Sequence, residues 1–360
     1  MKFGIVNRSN GGLFRYQGWP TVCRDENGVL YVVCSGSRLG HVCPFGKNLM
    51  YVSYDEGKTW SCPMIVNDTV LDDRDGGILS LGDGKLLLTY FDLPREFYYN
   101  HNVWLNHCMD PVIKNMALGL VDGWKSMSCE QNRAGSFVRL SRDGGKTWGE
   151  AVKVPVTSPH GPIRLKNGKL LFVGKIFCDD SYEDGALYAF ESTDDGQSWS
   201  CLSNIAVPNG INNNQLHELH AVELENGRIV VAIRAHGNAT KYDLGVMRCF
   251  SDDGGRTWSL PEPLDVCGSP PHLLLHSSGA LVMTYGRREV PYGQRARISY
   301  DGGISFGEEI TIGERSNDSD LGYPSTVELS DGSLMTVYYQ KLPNDDFCSI
   351  LYTQWAISEK

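Results

Sequence analysis

One spacing returns five times along this chain, S-x-D-x-G-x-[ST]-[WF]: Ser53 to Trp60, Ser141 to Trp148, Ser192 to Trp199, Ser251 to Trp258 and Ser299 to Phe306. The physics of the residues explains the pattern. The Asp can accept hydrogen bonds from backbone N–H groups of its own turn, the Gly supplies a positive-φ position, and the aromatic ring can pack beneath the hairpin. The element is therefore a turn brace with no catalytic role of its own. A single copy would mean little, since D-G turns are common; five ordered copies demand a repeat architecture.

A second repeat sets the number of units. A glycine turn followed by a β-rich apolar run occurs six times, opening at Gly28, Gly84, Gly168, Gly227, Gly279 and Gly332. Each unit of roughly 50 to 60 residues then reads as strand, hairpin, strand and braced turn, which is one four-stranded blade. The sequence predicts an all-β, six-bladed β-propeller spanning 1–360 as one domain. The last blade lacks a brace and must close against the amino-terminal strand, so that the ring has no open edge. One long interval, about 92–135, is an insertion rich in aromatic and amide residues, including Phe97, Tyr98, Tyr99 and Trp104. It is expected to be a lid over a site or an oligomer contact.

Composition excludes several classes of function. A formal charge of −10 lacks the basic surplus that a polyanion partner requires, so no nucleic acid is expected. No apolar run approaches membrane-spanning length, so no membrane partner is expected. The start, MKFGIVNRSNGG, has no apolar segment of leader length, and the eleven scattered cysteines have no C-x-x-C spacing. Both suit reduced thiols in a cytoplasmic protein without a structural zinc. The histidines show no ligand spacing, and neither metal nor other cofactor is expected.

In a propeller the strand before each hairpin is innermost, and its first residues open onto the axis. Counting back eight or nine positions from the six glycines gives Pro20, Asp75, His160, Glu218, Pro271 (beside His272) and Tyr323. Four of these carry acid, base or nucleophile chemistry, where a purely structural ring would place small and apolar side chains.

The braces and these central residues together resemble the Asp-box, or BNR-repeat, sialidase superfamily. The stretch Glu218-Leu-His-Ala-Val-Glu-Leu-Glu-Asn-Gly through Arg234 is similar to the family segment with a glutamate before a hairpin and an arginine sixteen residues on. Gly322-Tyr323-Pro-Ser-Thr through Asp331-Gly332, followed by Tyr338-Tyr339, resembles the segment around the family's nucleophilic tyrosine. The resemblance implies Tyr323 as nucleophile, Glu218 as its base and Arg234 as a carboxylate-binding arginine. A phenol relieved of its proton by a glutamate attacks an anomeric carbon bearing a carboxylate without the repulsion an anionic nucleophile would meet.

Elsewhere the chain departs from the family. Gly18 stands where the first arginine belongs, with Arg15 three residues earlier. Arg38 lies about where a second pocket arginine is expected, and Arg74 precedes the acidic Asp75. Arg295 is the better spacing match for the last arginine, with Arg288 its rival. The aspartate expected after Arg38 as general acid is missing from Leu39-Gly40-His41-Val42-Cys43-Pro44, leaving Asp75 first and His41 second for that role. His160 and His272 suit sugar-hydroxyl recognition or plain packing. The resemblance implies an exo-acting, retaining glycoside hydrolase that takes a terminal sialic acid or related acidic sugar from a small glycan; a homo-oligomer is the expectation only where the 92–135 insertion serves as a subunit contact. The alternatives are a glycosidase for another sugar in a reshaped pocket and a non-catalytic glycan-binding propeller.

Overall fold

In the computed structural model, which describes residues 1–9, 12–100, 102, 104–105, 110–128, 134–313 and 316–357, every one of the five braces closes in the same way. In the copy at Ser141, the Ser141 hydroxyl donates to Asp143 Oδ1 at 2.9 Å and accepts from Gly145 N at 2.9 Å. Asp143 accepts from Thr147 N at 2.9 Å and from the Thr147 hydroxyl at 2.6 Å. The glycine is needed twice over. Gly145 has a φ of +82°, and a Cβ there would lie 2.5 Å from the Met50 methyl of the preceding blade. Gly57 meets Met335, Gly196 meets Leu87 and Gly255 meets Leu171 in the same manner. The brace thus locks each blade onto the one before it, which the local reading of the turn did not foresee.

Six antiparallel sheets result. The first blade comprises Tyr16–Arg24, Leu30–Arg38, Lys47–Ser53 and Met64–Asn67. The second comprises Asp73–Gly82, Lys85–Asp92, Gly135–Ser141 and Val152–Val154. The inner strand of the third is broken into Val156–Thr157 and Ile163–Arg164, both paired with Leu170–Ile176. Pro159 and Pro162 lie in the break and cannot donate to a ladder. The fourth begins with Leu216–Glu223 and Ile229–His236, the fifth with Pro271–Leu275 and Leu281–Arg287. In the sixth, Gly322–Glu328, Leu334–Lys341 and Cys348–Trp355 are joined by the amino-terminal strand Lys2–Asn7, with Lys2 opposite Gln354. That pairing closes the ring as expected and removes its open edge.

The apolar core is distributed between the blades. Val33, Met50 and Leu88 pack between the first and second, Leu87, Val138 and Phe172 between the second and third, and Tyr51, Met335 and Val337 between the sixth and first. The second strand of each blade, packed between neighbouring blades and buried on both faces, reads as a nearly continuous apolar run, which is the pattern seen after each hairpin glycine.

Among the described residues of the insertion lie two α-helices, α1 (Arg95–Tyr99) and α2 (Pro111–Trp124). Pro111 opens α2 where its missing N–H costs nothing, and the Asp110 carboxylate caps it by accepting from Val112 N and Ile113 N. Ile113, Ala117, Val121 and Trp124 form one buried face, packed with Tyr98 onto Leu39, Cys43 and Leu71. The insertion therefore sits on the first blade's 39–45 loop.

Candidate active site

Four innermost strands contain one residue more than their partners, and the extra residue is held at positive φ. The ladder skips between Gly18 and Thr21, Arg74 and Gly77, His217 and Leu219, and Gly322 and Ser325. Within those gaps Trp19 has φ +55°, Asp75 +40°, Glu218 +41° and Tyr323 +48°. None of the four is a glycine, so each bulge carries backbone strain, and each re-aims one side chain out of the strand's alternation.

The Tyr323 hydroxyl donates to Glu218 Oε1 in a very short hydrogen bond. Arg234, paired with His217 across the ladder, places Nη1 2.5 Å from Glu218 Oε2 and 3.3 Å from the Tyr323 oxygen. Burial pushes the Glu218 carboxyl up, but Arg234, the Tyr323 hydroxyl and Arg288 outweigh it and leave it below the ordinary range. Burial and the Glu218 charge raise the Tyr323 phenol well above 10, against the opposing pull of Arg234. The resting pair is thus a neutral phenol facing a carboxylate, a nucleophile with its base already in contact.

Asp75 shares a pocket of about 320 Å³ with Glu218, walled by Phe91, Phe177 and Lys175. It is 7% exposed, and its Oδ1 is buried without a partner. Burial raises its carboxyl to about 7, with Arg74 opposing and Glu218 reinforcing the shift. Lys175, lowered to about 8 chiefly by burial, donates to Asn213 O and Leu216 O.

The arginines separate into two groups. Arg288 crosses the Tyr323 ring at 5.5 Å, donating from Nε to Leu321 O and from Nη2 to the Tyr339 hydroxyl, both at 2.9 Å. Arg74 lies over the Trp19 ring at 4.5 Å. Both border the centre together with Arg234. Arg295 does not: its Nε meets Glu309 at 3.0 Å and its Nη2 meets Pro291 O at 2.7 Å, on the third strand of the fifth blade. Arg38 is fully buried and spent on Asp72, with Nη1–Oδ1 2.5 Å and Nη2–Oδ2 3.0 Å, and its Nη1 also donates to Ser35. Expected as a substrate arginine, it instead anchors the loop carrying His41, whose carbonyl accepts from Arg38 Nη2 at 3.2 Å.

His160 and His272 lie one layer further along the inner strands. With His220 they form a packed imidazole cluster, His220 and His272 stacked at 4.2 Å. They line a separate cavity of about 440 Å³ with Thr21, Ile78 and Thr326, toward the hairpin end of the channel. Sugar recognition beside Tyr323 is thereby closed to them. Burial holds all three neutral. Among the described residues, no group of three or more His, Cys, Asp or Glu could hold a metal ion.

Sequence reasoning missed Trp19, Tyr16 and Asp320. Trp19 stands nine residues before Gly28, just as Asp75, Glu218 and Tyr323 stand nine before their own glycines. A strict count of nine would have chosen Trp19 over Pro20 and passed over His160 and His272. The contact of Tyr16 and Asp320 with His41 joins segments far apart in the chain and leaves no local trace.

A family described as the BNR repeat-like domain matches residues 8–338. No curated protein matches the chain. Among solved structures, a protein of unknown function from Dyadobacter fermentans DSM 18053 is 22% identical with a TM-score of 0.77, over 99% of this chain and 98% of that one. A NanB sialidase from Streptococcus pneumoniae is 14% identical with a TM-score of 0.69, over 98% and 70%. An alpha-L-arabinanase from Penicillium chrysogenum, complexed with arabinobiose, is 14% identical with a TM-score of 0.64, over 99% and 98%. At these identities the likeness concerns the fold.

Proposed function

Since the chain belongs to the BNR repeat-like domain family and has the six-bladed sialidase-like fold, we propose that it is an exo-acting glycoside hydrolase that removes a terminal sialic acid or related acidic sugar with retention, through a tyrosyl intermediate. The observation that carries this reading is the Tyr323–Glu218–Arg234 contact, built on two strained bulges, one in the fourth blade and one in the sixth. Strain kept at two such positions is costly, about 1–3 kcal/mol each, and is retained where a site needs the resulting geometry. Tyr323 attacks the anomeric carbon while Glu218 takes the phenolic proton; Arg234, Arg288 and Arg74 supply the positive field that suits a carboxylated sugar.

A second reading, a glycosidase for another sugar, is favoured by one observation. Arg38 is fully buried and spent on Asp72, Ser35 and the His41 carbonyl, and Gly18 offers no fork, so fewer guanidinium groups face the pocket than the family resemblance implies for an ordinary sialoside. Hydrolysis of aryl α-glycosides of acidic and neutral sugars separates the two. In either case Tyr323→Phe should fold normally and lose about a hundredfold or more in turnover, and Glu218→Gln likewise. Turnover near the parental rate in the Phe variant on every substrate cleaved would refute the tyrosyl mechanism.

A further inference from the structure

An exo-acting enzyme holds the terminal sugar in its pocket and releases the remainder of the glycan through the mouth. The departing oxygen is therefore at the rim, and the proton it needs must come from a group that reaches the rim. Asp75, 7% exposed and deep beside Glu218, is poorly placed for this. The His41 side chain is 38% exposed. Its loop is held from beneath, with the His41 carbonyl accepting from Arg38 and Arg74, and Cys43 Sγ accepting from Leu39 N at 3.3 Å. The imidazole stands edge-on to Trp19 at 4.9 Å, and that indole is also edge-on to Tyr323 at 6.4 Å.

The ring's orientation is fixed from the sixth blade. His41 Nδ1 lies 2.9 Å from Asp320 Oδ1, and the Tyr16 hydroxyl donates to the same oxygen at 3.0 Å while standing 3.0 Å from Nδ1. A carboxylate in that place keeps a proton on Nδ1 and leaves Nε2 as the nitrogen that gains and loses one. Asp320 is three residues from Tyr323, so one short segment carries both the orienting carboxylate and the nucleophile.

We propose that His41, oriented by Asp320 and Tyr16, is the proton carrier for the leaving group in this site. The proposal rests on the hydrolase reading above. In the first step the Tyr323 oxygen bonds to the anomeric carbon, its proton passes to Glu218, the glycosidic C–O bond breaks, and the departing oxygen takes the proton from protonated His41 Nε2. In the second, water adds to the anomeric carbon and gives its proton to His41 Nε2. The tyrosyl C–O bond then breaks and the phenolate recovers its proton from Glu218, so atoms and charge balance over the cycle. Asp75 is left to bind the sugar from below. The charged and titratable groups facing His41 are Asp320, Tyr16, Arg74 and Arg288. Burial and the two arginines lower its basicity while Asp320 raises it, for a net value below the usual 6.5.

The test compares two aryl glycosides of one sugar, a dinitrophenyl glycoside that departs without protonation and a phenyl glycoside that needs it. His41→Asn should lose about a hundredfold or more in kcat/KM on the phenyl substrate and far less on the dinitrophenyl one. Asp320→Asn, a change to a positioning residue, should give a smaller loss of the same selectivity and move the alkaline limb of the pH profile to lower pH. His41→Gln, with thermal melting as a fold control, guards against a variant that merely misfolds. Equal losses on both substrates, no loss, or a leaving-group-dependent loss in Asp75→Asn instead would overturn His41 while leaving the hydrolase intact. Failure of the parent to cleave either glycoside of any sugar tested would overturn the hydrolase reading, and His41's role with it.

Discussion

Asp75 makes the site work against the stability of the fold, and the size of that conflict follows from its surroundings. Its carboxyl moves from an ordinary 3.8 to about 7, mainly through burial, with one oxygen buried and unpartnered. The folded protein keeps this proton up to about pH 7, whereas the unfolded chain releases it near 4. Between those values the folded state binds more protons, so stability falls as pH rises, and above 7 the full cost is present. About three pKa units at 1.36 kcal/mol each give roughly 4 kcal/mol. Asp75→Asn removes the charge, keeps the shape and tolerates the φ of +40°. Its amide still lacks partners, which returns about 1–3 kcal/mol, so the net gain at pH 8 is about 1–3 kcal/mol. With an unfolding entropy of about 2.1 cal/mol/K per residue, that is a rise of roughly 1–4 °C in Tm for a chain of this length. Scanning calorimetry of parent and variant from pH 4 to pH 8 should show the variant's advantage growing with pH. An advantage that is constant, shrinks with pH or is negative at pH 8 would refute the burial argument.

Asp72→Asn should cost about 3–5 kcal/mol, because it strands the buried Arg38 guanidinium and loosens Arg74 and Tyr98 together; chemical denaturation reads this, and a loss under 1 kcal/mol would show that the fork is not structural. Arg234→Lys keeps a charge but loses the planar geometry that touches Glu218 and Tyr323. It should cut kcat on every substrate and weaken binding of acidic sugars beyond that; equal KM changes on neutral and acidic glycosides would argue against a carboxylate contact.

The fold was legible because its signals are local and repeated. A brace of eight residues and a hairpin glycine each specify their own turn, and five braces with six hairpins then leave little but a closed ring of blades. The helices of the insertion were not legible: α2 owes its register to Tyr98, Leu39 and Leu71, which lie outside it. At the candidate site, the common position of Asp75, Glu218 and Tyr323 on strained inner-strand bulges was legible because each sits nine residues before its own hairpin glycine. Arg38 was assigned a substrate role from position alone, although burial opposite Asp72 decides its use. The choice of Arg295 over Arg288 failed similarly: Glu309, just ahead of the strand Ile310–Thr311, draws Arg295 away, while Leu321 and Tyr339 hold Arg288 across the Tyr323 ring. The His41–Asp320 pair spans most of the chain, and no spacing rule can bring such residues together.

The nucleophile is the centre of the account, and covalent capture tests it most directly. A fluorinated analogue of whichever glycoside the parent cleaves should form a slowly released adduct that peptide mass spectrometry can place. The account predicts that the label falls on Tyr323, with none in Tyr323→Phe. A label on Asp75, Glu218 or any other residue, or rapid turnover with no adduct in the parent and undiminished activity in the Phe variant, would contradict it.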